Sequence, residues 1–173
     1  MRYQVVVLDE EVGIDIDIDH LGWQVHPASY PSAEFSGLRI YMGYCDSDQL
    51  GSVFEDNYIP GSKVLVYERA SQVCAGSPDE WFTLELDTPY GYVQSEGNLI
   101  IEVQWETPVD YHSFYTWAWN TGTIRAVANT SAGAPSSTSG SLSSAVSRFM
   151  LSGQGMTLEQ STFCGIKVLG DPR

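Results

Sequence analysis

The sequence predicts an all-β protein: a single antiparallel β-sandwich of jelly-roll-like form, with about nine strands and little helix. Two observations support this prediction. Apolar and polar residues alternate with the period of a strand in residues 14–19, 81–86 and 99–106. Turn-forming clusters of Gly, Pro, Asn and Ser interrupt the chain at roughly ten- to twenty-residue intervals.

The composition limits the domain count and the partners. The chain has 173 residues, 43% of them hydrophobic, which is enough for one domain with a sizeable core. Acidic residues number 22 against 8 basic ones, giving a net charge of −14 that repels nucleic-acid phosphates and anionic lipid headgroups. Neither nucleic acid nor a membrane is therefore expected as a partner. The sequence has no apolar run of about 18 residues, and its first residues lack a signal-peptide pattern, as in a mature form.

The first strand is predicted at residues 3–8, an apolar and β-branched run without alternation. Such a run is typical of a strand covered on both faces, or of a strand that completes the sheet of a neighbouring copy. In the second case residues 1–12 are an exchanged N-terminal strand and residues 13–173 are the sandwich domain. The strand that is added to the neighbour's sheet then contributes the side chains of Tyr3, Val5, Val6, Val7 and Leu8.

Two acidic segments are candidate calcium sites. In the second strand, at residues 13–19, the isoleucines face the core, so Asp15 and Asp17 share the outer face. Asp46 and Asp48 resemble the beginning of a calcium loop, but the positions that follow break the EF-hand pattern. The alternative for both segments is a solvated acidic surface, and no other cofactor is expected.

Strands are also predicted at residues 38–44 and 63–69, on either side of an acidic loop. Within that loop Leu50, Val53 and Phe54 have helical spacing, which predicts a short apolar turn that plugs an open end of the sandwich.

Three cysteines, Cys45, Cys74 and Cys164, allow one disulfide with one thiol left over. Spacing does not rank the three pairings. A bridge such as Cys45–Cys74 and a set of three reduced, buried thiols are both consistent with the sequence.

Residues 81–106 are predicted to form two strands joined by a turn-rich loop, a hairpin-like pair at the centre of the fold. An aromatic segment follows, in which Tyr115, Trp117 and Trp119 share one face if the chain is extended. These rings either stack on sugars or belong to a core or a subunit contact. Residues 123–129 are predicted to pair with this segment.

Residues 129–147 are rich in Ser, Thr, Gly and Ala and predict a surface excursion with little to bury. Asn129 begins an Asn-X-Ser sequence and is a candidate N-glycosylation site, which implies an exported protein. Two further strands, at residues 148–152 and 163–169, close the fold.

The catalytic motifs considered are absent from the sequence. We find neither a nucleophile in an elbow sequence with a matching base, nor a phosphate-binding glycine loop, nor zinc-ligand spacing. The sequence therefore favours a protein that is not an enzyme.

The segments FSGLRIYMGY (35–44), LGSVFEDNY (50–58), KVLVYE (63–68), WFTLELDTPYGY (81–92) and GNLIIEVQW (97–105) resemble a loosely defined group of extracellular β-sandwich modules of bacterial cell-surface and secreted proteins. The resemblance covers roughly residues 13–106 and extends to the two closing strands. It implies a sandwich fold and an extracellular or cell-surface location, and it implies no catalytic residues.

Two functions are consistent with these observations. The first is a structural subunit that assembles with copies of itself, as a filament or surface layer, through addition of residues 3–8 to a neighbour's sheet. The second is an adhesive or carbohydrate-binding module for cell-surface glycans. Its stacking residues are Tyr115, Trp117 and Trp119, or the loop aromatics Tyr30, Tyr90 and Tyr92.

Overall fold

The computed structural model describes residues 1–106, 112–131, 134–153, 156–161 and 165–169. Thirteen strands lie in that part of the chain. They are β1 (Arg2–Val7), β2 (Ile16–Gln24), β3 (Ser32–Cys45), β4 (Val64–Ala75), β5 (Trp81–Tyr92), β6 (Asn98–Gln104), β7 (Ala118–Asn120), β8 (Ala126–Asn129), β9 (Ser141–Ser143), β10 (Ala145–Ser147), β11 (Phe149–Gly153), β12 (Met156–Ser161) and β13 (Gly165–Leu169). The helical segments are a single turn, α1 (Asp9–Val12), and the 3-10 turns Glu55–Asn57, Gln94–Glu96 and Ala134–Ser136.

The strands form two main sheets and a small one. The six-stranded sheet has the order β4-β3-β6-β1-β8-β9, the five-stranded sheet β13-β12-β11-β2-β5, and β10 pairs with β7. All of the pairings described are antiparallel. The predicted all-β sandwich is therefore confirmed. The strands outnumber the expected nine because the chain from β7 to β11 forms strands of only three to five residues.

The main core lies between the two large sheets and follows from the alternation. Ile16 and Ile18 of β2 are buried, as are Ile40 of β3 and Ile101 of β6. Asp15 and Asp17 are exposed, as the period of the strand predicted.

The predicted hairpin at residues 81–106 is wrong. β5 pairs with β2 in the five-stranded sheet, whereas β6 lies between β3 and β1 in the six-stranded sheet. The turn at Gln94–Glu96 carries the chain from one sheet to the other. Each of the two strands has an apolar inner face that must be covered. Because the strands lie in opposite sheets, each inner face is covered by the facing sheet.

β1 occupies the interior of its own six-stranded sheet. It pairs with β6 along one edge and with β8 along the other, and both of its faces are covered. The prediction that both faces are covered is confirmed. The prediction that this strand is unpaired within its own chain is wrong, since Tyr3, Val5, Val6 and Val7 all have partners in the same chain; Leu8 follows the end of the strand and is buried.

The segment of residues 129–147 is not a plain surface excursion. It contributes β9 to the six-stranded sheet and β10 to the small sheet, and Val146 is buried in the main core. The predicted pairing of residues 123–129 with the aromatic segment is also wrong, because β8 pairs with β1 and β9 while β7 pairs with β10.

Cys45 and Cys74 are both buried free thiols. Cys74 lies opposite Ala33, near the beginning of β3, whereas Cys45 is the last residue of that strand. Twelve residues of extended chain separate Ala33 from Cys45, or about 40 Å, whereas a disulfide requires Cα atoms within about 7 Å. Of the alternatives left open by the sequence, a Cys45–Cys74 bridge is therefore wrong, and Cys164 lies outside the described residues.

Candidate functional site

One end of the sandwich holds an open groove with a volume of about 650 Å³. The first six strands run alternately up and down, so the beginnings of β1, β3 and β5 meet the ends of β2, β4 and β6 at this end. The groove walls consist mainly of aromatic and aliphatic side chains near these strand ends: Trp23, Phe35, Phe82, Leu84, Val103 and Trp105.

Aromatic pairs hold the walls in place. The rings of Phe35 and Trp105 meet edge to face, with centroids 5.4 Å apart and an interplanar angle of 69°. Phe82 and Phe114 make a second edge contact at 5.5 Å and 72°. This geometry matches the quadrupole preference of aromatic rings, so the ring faces have defined orientations in the groove.

The rim formed by residues 112–116 is fixed to the loop after β2. The Tyr115 N–H donates to Ser29 Oγ at 3.0 Å, and the His26 N–H donates to the Tyr115 carbonyl at 3.0 Å. Tyr30 stacks on His112 with centroids 4.5 Å apart. The rim therefore has a defined position in the fold.

Glu106 places an exposed carboxylate at the groove mouth. Its side chain lies against Gly37, which has a φ of 60°. A Cβ at residue 37 would come within 2.9 Å of the Glu106 Cγ and Cδ atoms. Glycine at residue 37 thus provides both the left-handed backbone and the space for the Glu106 side chain.

Cys74 also lines the groove, as a buried thiol. Burial raises its pKa to about 12. The thiol is therefore protonated at neutral pH and contributes an apolar surface to the wall.

The predicted stacking residues do not form one exposed platform. Tyr115 is 53% exposed and lines the groove. Trp117 is half-buried, lies 4.5 Å from the His26 ring and donates its Nε1–H to Asp79 at 2.7 Å. Trp119 packs against the main core. Sugar stacking by this set stays a prediction, with Tyr115 as its most exposed member.

The loop tyrosines Tyr30, Tyr90 and Tyr92 also differ in their exposure to solvent. Tyr30 is 50% exposed beside the groove rim. Tyr90 and Tyr92 are buried at the opposite end of the sandwich, where Tyr44 packs against both rings. Tyr90 and Tyr92 are therefore wrong as exposed platforms, because they belong to the core.

Two of the four candidate calcium ligands accept hydrogen bonds from other segments of the chain. Asp15 Oδ1 accepts the Gln94 N–H at 2.8 Å, and Asp48 Oδ1 accepts from the Asn98 amide at 3.0 Å. Asp17 faces outward, and Asp46 lies beside a polar depression that also contains Asn57. Within the described ranges, no three His, Cys, Asp or Glu side chains group as metal ligands.

Asn129, the candidate glycosylation residue, ends β8. Its Nδ2 donates to Ser137 Oγ at 2.8 Å and to the Ser139 carbonyl at 3.0 Å, while its Oδ1 accepts the Ser131 N–H at 3.0 Å. The amide therefore organises the turn after β8. Glycosylation at this residue stays a prediction.

The sequence reasoning missed a buried carboxylate on the outer face of the six-stranded sheet. Glu102 of β6 is fully buried, although alternation placed it on a polar face. Its donors lie in three parts of the chain, which are β1, the loop between β3 and β4, and β6: Arg2, Gln4, Tyr58, Lys63 and Gln104.

The loop between β3 and β4 covers this carboxylate. Leu50 and Phe54 are buried against Val6 and Ile100 in a second core, while Val53 is 37% exposed. The predicted apolar turn therefore covers a sheet face, not an open end. In the sequence, the signal that the loop covers the outer face of the six-stranded sheet was the presence of two apolar residues, Leu50 and Phe54, in an otherwise acidic loop.

No family model matches the chain, and comparisons with curated proteins and with solved structures gave no significant match. The resemblance to extracellular β-sandwich modules therefore stays a prediction. None of the helices in the described part of the chain is long and apolar enough to cross a membrane.

Proposed function

We propose that this protein is a non-catalytic binding module, and that its site is the aromatic groove. The single observation that carries the proposal is the groove itself, whose volume of about 650 Å³ lies within the range of small-ligand pockets. Aromatic and aliphatic side chains make up most of its walls, and a few polar groups lie at the mouth. This arrangement suits a ligand with a flat apolar face, such as a ring that stacks between Trp23 and Phe35.

Binding of a neutral fluorescent aromatic probe, N-phenyl-1-naphthylamine, tests this proposal. We expect the probe to bind the intact chain and Trp105→Ala to weaken binding by about tenfold. Trp81→Ala is the matched control, since Trp81 is half-buried at the beginning of β5 but does not line the groove. Equal binding by the Trp105→Ala variant, or no binding by the intact chain, contradicts the proposal.

An extracellular or cell-surface location is part of the proposal. Its support is the hydroxyl-rich segment of residues 129–147 with the Asn-X-Ser sequence at Asn129. Immunodetection in fractions of the source cells tests it, because recovery in the cytosolic fraction alone contradicts it.

A second candidate function is self-assembly by exchange of β1 between copies. The favouring observation is that β1 fills an interior position of its sheet and is joined to β2 through Gly13, whose φ of 72° marks a turn. An exchanged strand would make the same pairs with β6 and β8 of a neighbour. Light scattering after size exclusion tests this function: polymers that disappear when residues 1–8 are deleted support it, and a monomeric intact chain contradicts it.

A further inference from the structure

The groove of this acidic protein is lined mainly by aromatic and aliphatic side chains, and no lysine or arginine lines it in the part of the chain that the structure describes. Five of the eight lysines and arginines form ion pairs with carboxylates. These ion pairs are Arg2–Glu102, Arg39–Glu68, Lys63–Glu55, Arg69–Asp87 and Arg125–Glu11. The chain as a whole has a net charge of −14, and Glu106 contributes an exposed carboxylate to the groove.

Two basic groups line the groove, the Met1 amine and the His112 ring. The Met1 amine donates to the Trp105 carbonyl, and burial lowers its pKa from the ordinary value of 8.0. The His112 ring stacks on Tyr30 with centroids 4.5 Å apart. Arg39 lies within the field of Glu106, but its Nε is bonded to Glu68 Oε1 at 2.7 Å. The Met1 amine and the Arg39 guanidinium are therefore each bonded to an oxygen acceptor of the protein.

Ring faces attract cations through their negative quadrupole, and Trp attracts them most strongly. The groove combines Trp23, Trp105 and Phe35 with the exposed carboxylate of Glu106 at its mouth. A positive group carried on an apolar body matches both features, because the rings attract a cation and the Glu106 carboxylate has the opposite charge. An anionic group is repelled by the Glu106 carboxylate and by the net negative charge of the chain.

We propose that the ligand of the groove is an organic cation, an ammonium or quaternary ammonium group carried on an apolar body. This inference rests on the proposed binding function and specifies its ligand class. Charge complementarity selects the cation, while the aromatic walls hold the apolar part.

Three matched probes test the inference on the intact chain by isothermal titration. They are 2-naphthylmethyl-trimethylammonium, its neutral isostere with a tert-butyl group in place of the trimethylammonium, and the corresponding naphthalene sulfonate. We expect the cation to bind about tenfold more tightly than the neutral isostere, and the sulfonate to bind most weakly. Raising the salt concentration should reduce the preference for the cation.

Glu106→Gln should remove several-fold of the preference for the cation and leave the affinity of the neutral isostere unchanged. Glu85→Gln is the control, because Glu85 is an exposed carboxylate of β5 that does not line the groove. Neutral and cationic probes that bind equally overturn the inference and leave the proposed binding function standing. Failure of all three probes to bind overturns the inference and also contradicts the binding function.

Discussion

Arg2 and Glu102 form a buried ion pair across β1 and β6: the Nε of Arg2 lies 2.9 Å from Glu102 Oε1, and a terminal nitrogen lies 3.2 Å from Oε2. Arg2 is 5% exposed and Glu102 is fully buried. Arg2 also donates to Ser137 in the segment after β8 and to Glu55 in the loop after β3. The pair thus joins the six-stranded sheet to the two segments that cover its outer face.

Glu102→Ala should destabilise the protein by about 3–5 kcal/mol, because it leaves the buried Arg2 charge without its main partner. Urea unfolding followed by tryptophan fluorescence measures the change. Glu85→Ala removes an exposed carboxylate and should change the free energy of unfolding by less than about 0.5 kcal/mol. A loss below about 1 kcal/mol in Glu102→Ala would contradict the role assigned to the pair.

Glu55 gives a pH-dependent contribution to stability. Burial alone would raise its pKa, but hydrogen bonds from Lys63 and Arg2 outweigh burial and hold the pKa below the ordinary value of 4.5. Because the folded pKa is depressed, the contribution is complete above about pH 5 and is lost as the pH falls through the folded pKa. Glu55 is mainly exposed, so the contribution is small.

The test compares the intact chain with Glu55→Gln in denaturant melts from pH 7 to pH 3. The intact chain should be the more stable at pH 7, and the difference should shrink as the pH decreases below 4.5. A difference that stays constant or grows over this interval would show that the ion pairs of Glu55 do not stabilise the fold.

Gly37→Ala should destabilise the protein by about 1–2 kcal/mol, since alanine disfavours a positive φ and the added Cβ meets the Glu106 side chain. Gly61→Ala is the matched control: Gly61 has a φ of 84° and nothing within 4 Å of an added Cβ. Thermal unfolding should show a larger loss for residue 37 than for residue 61. Equal losses would mean that the contact with Glu106 has no energetic effect.

Cys74 should react slowly with thiol reagents in the folded protein. Its pKa of about 12 keeps the thiolate scarce at pH 7.5, and the rate should increase tenfold for each pH unit up to pH 9. Monobromobimane labelling of a Cys45→Ser, Cys164→Ser variant isolates this thiol. Labelling at the rate of a denatured sample would contradict the burial of Cys74.

The sequence predicted the strands better than their pairing. Alternation identified β2, β3, β5 and β6 because each of these strands has one apolar face. It does not specify the sheet to which a strand belongs, so β5 and β6 were paired by proximity in sequence although they lie in opposite sheets. The burial of Glu102 was missed for a related reason, since a polar face is assumed to meet solvent until a covering loop is known.

The groove illustrates what local patterns cannot supply. Trp23, Phe35 and Phe82 come from three strands and Trp105 directly follows a fourth, and only the alternating directions of the first six strands bring them to one end. The aromatic segment of residues 115–119 was a predicted stacking site because its three rings lie close together in sequence and share one face of an extended chain. In the folded chain these rings separate, and Tyr115 is the one that reaches the groove.

The most direct test of the account is to map the ligand position with the indole N–H signals of the five tryptophans by NMR. Titration of the intact chain with 2-naphthylmethyl-trimethylammonium should shift the signals of Trp23 and Trp105, which line the groove, and leave that of Trp81 in place. Absence of shifts at Trp23 and Trp105 at saturating probe, or shifts confined to Trp81, would contradict the assignment of the groove as the binding site.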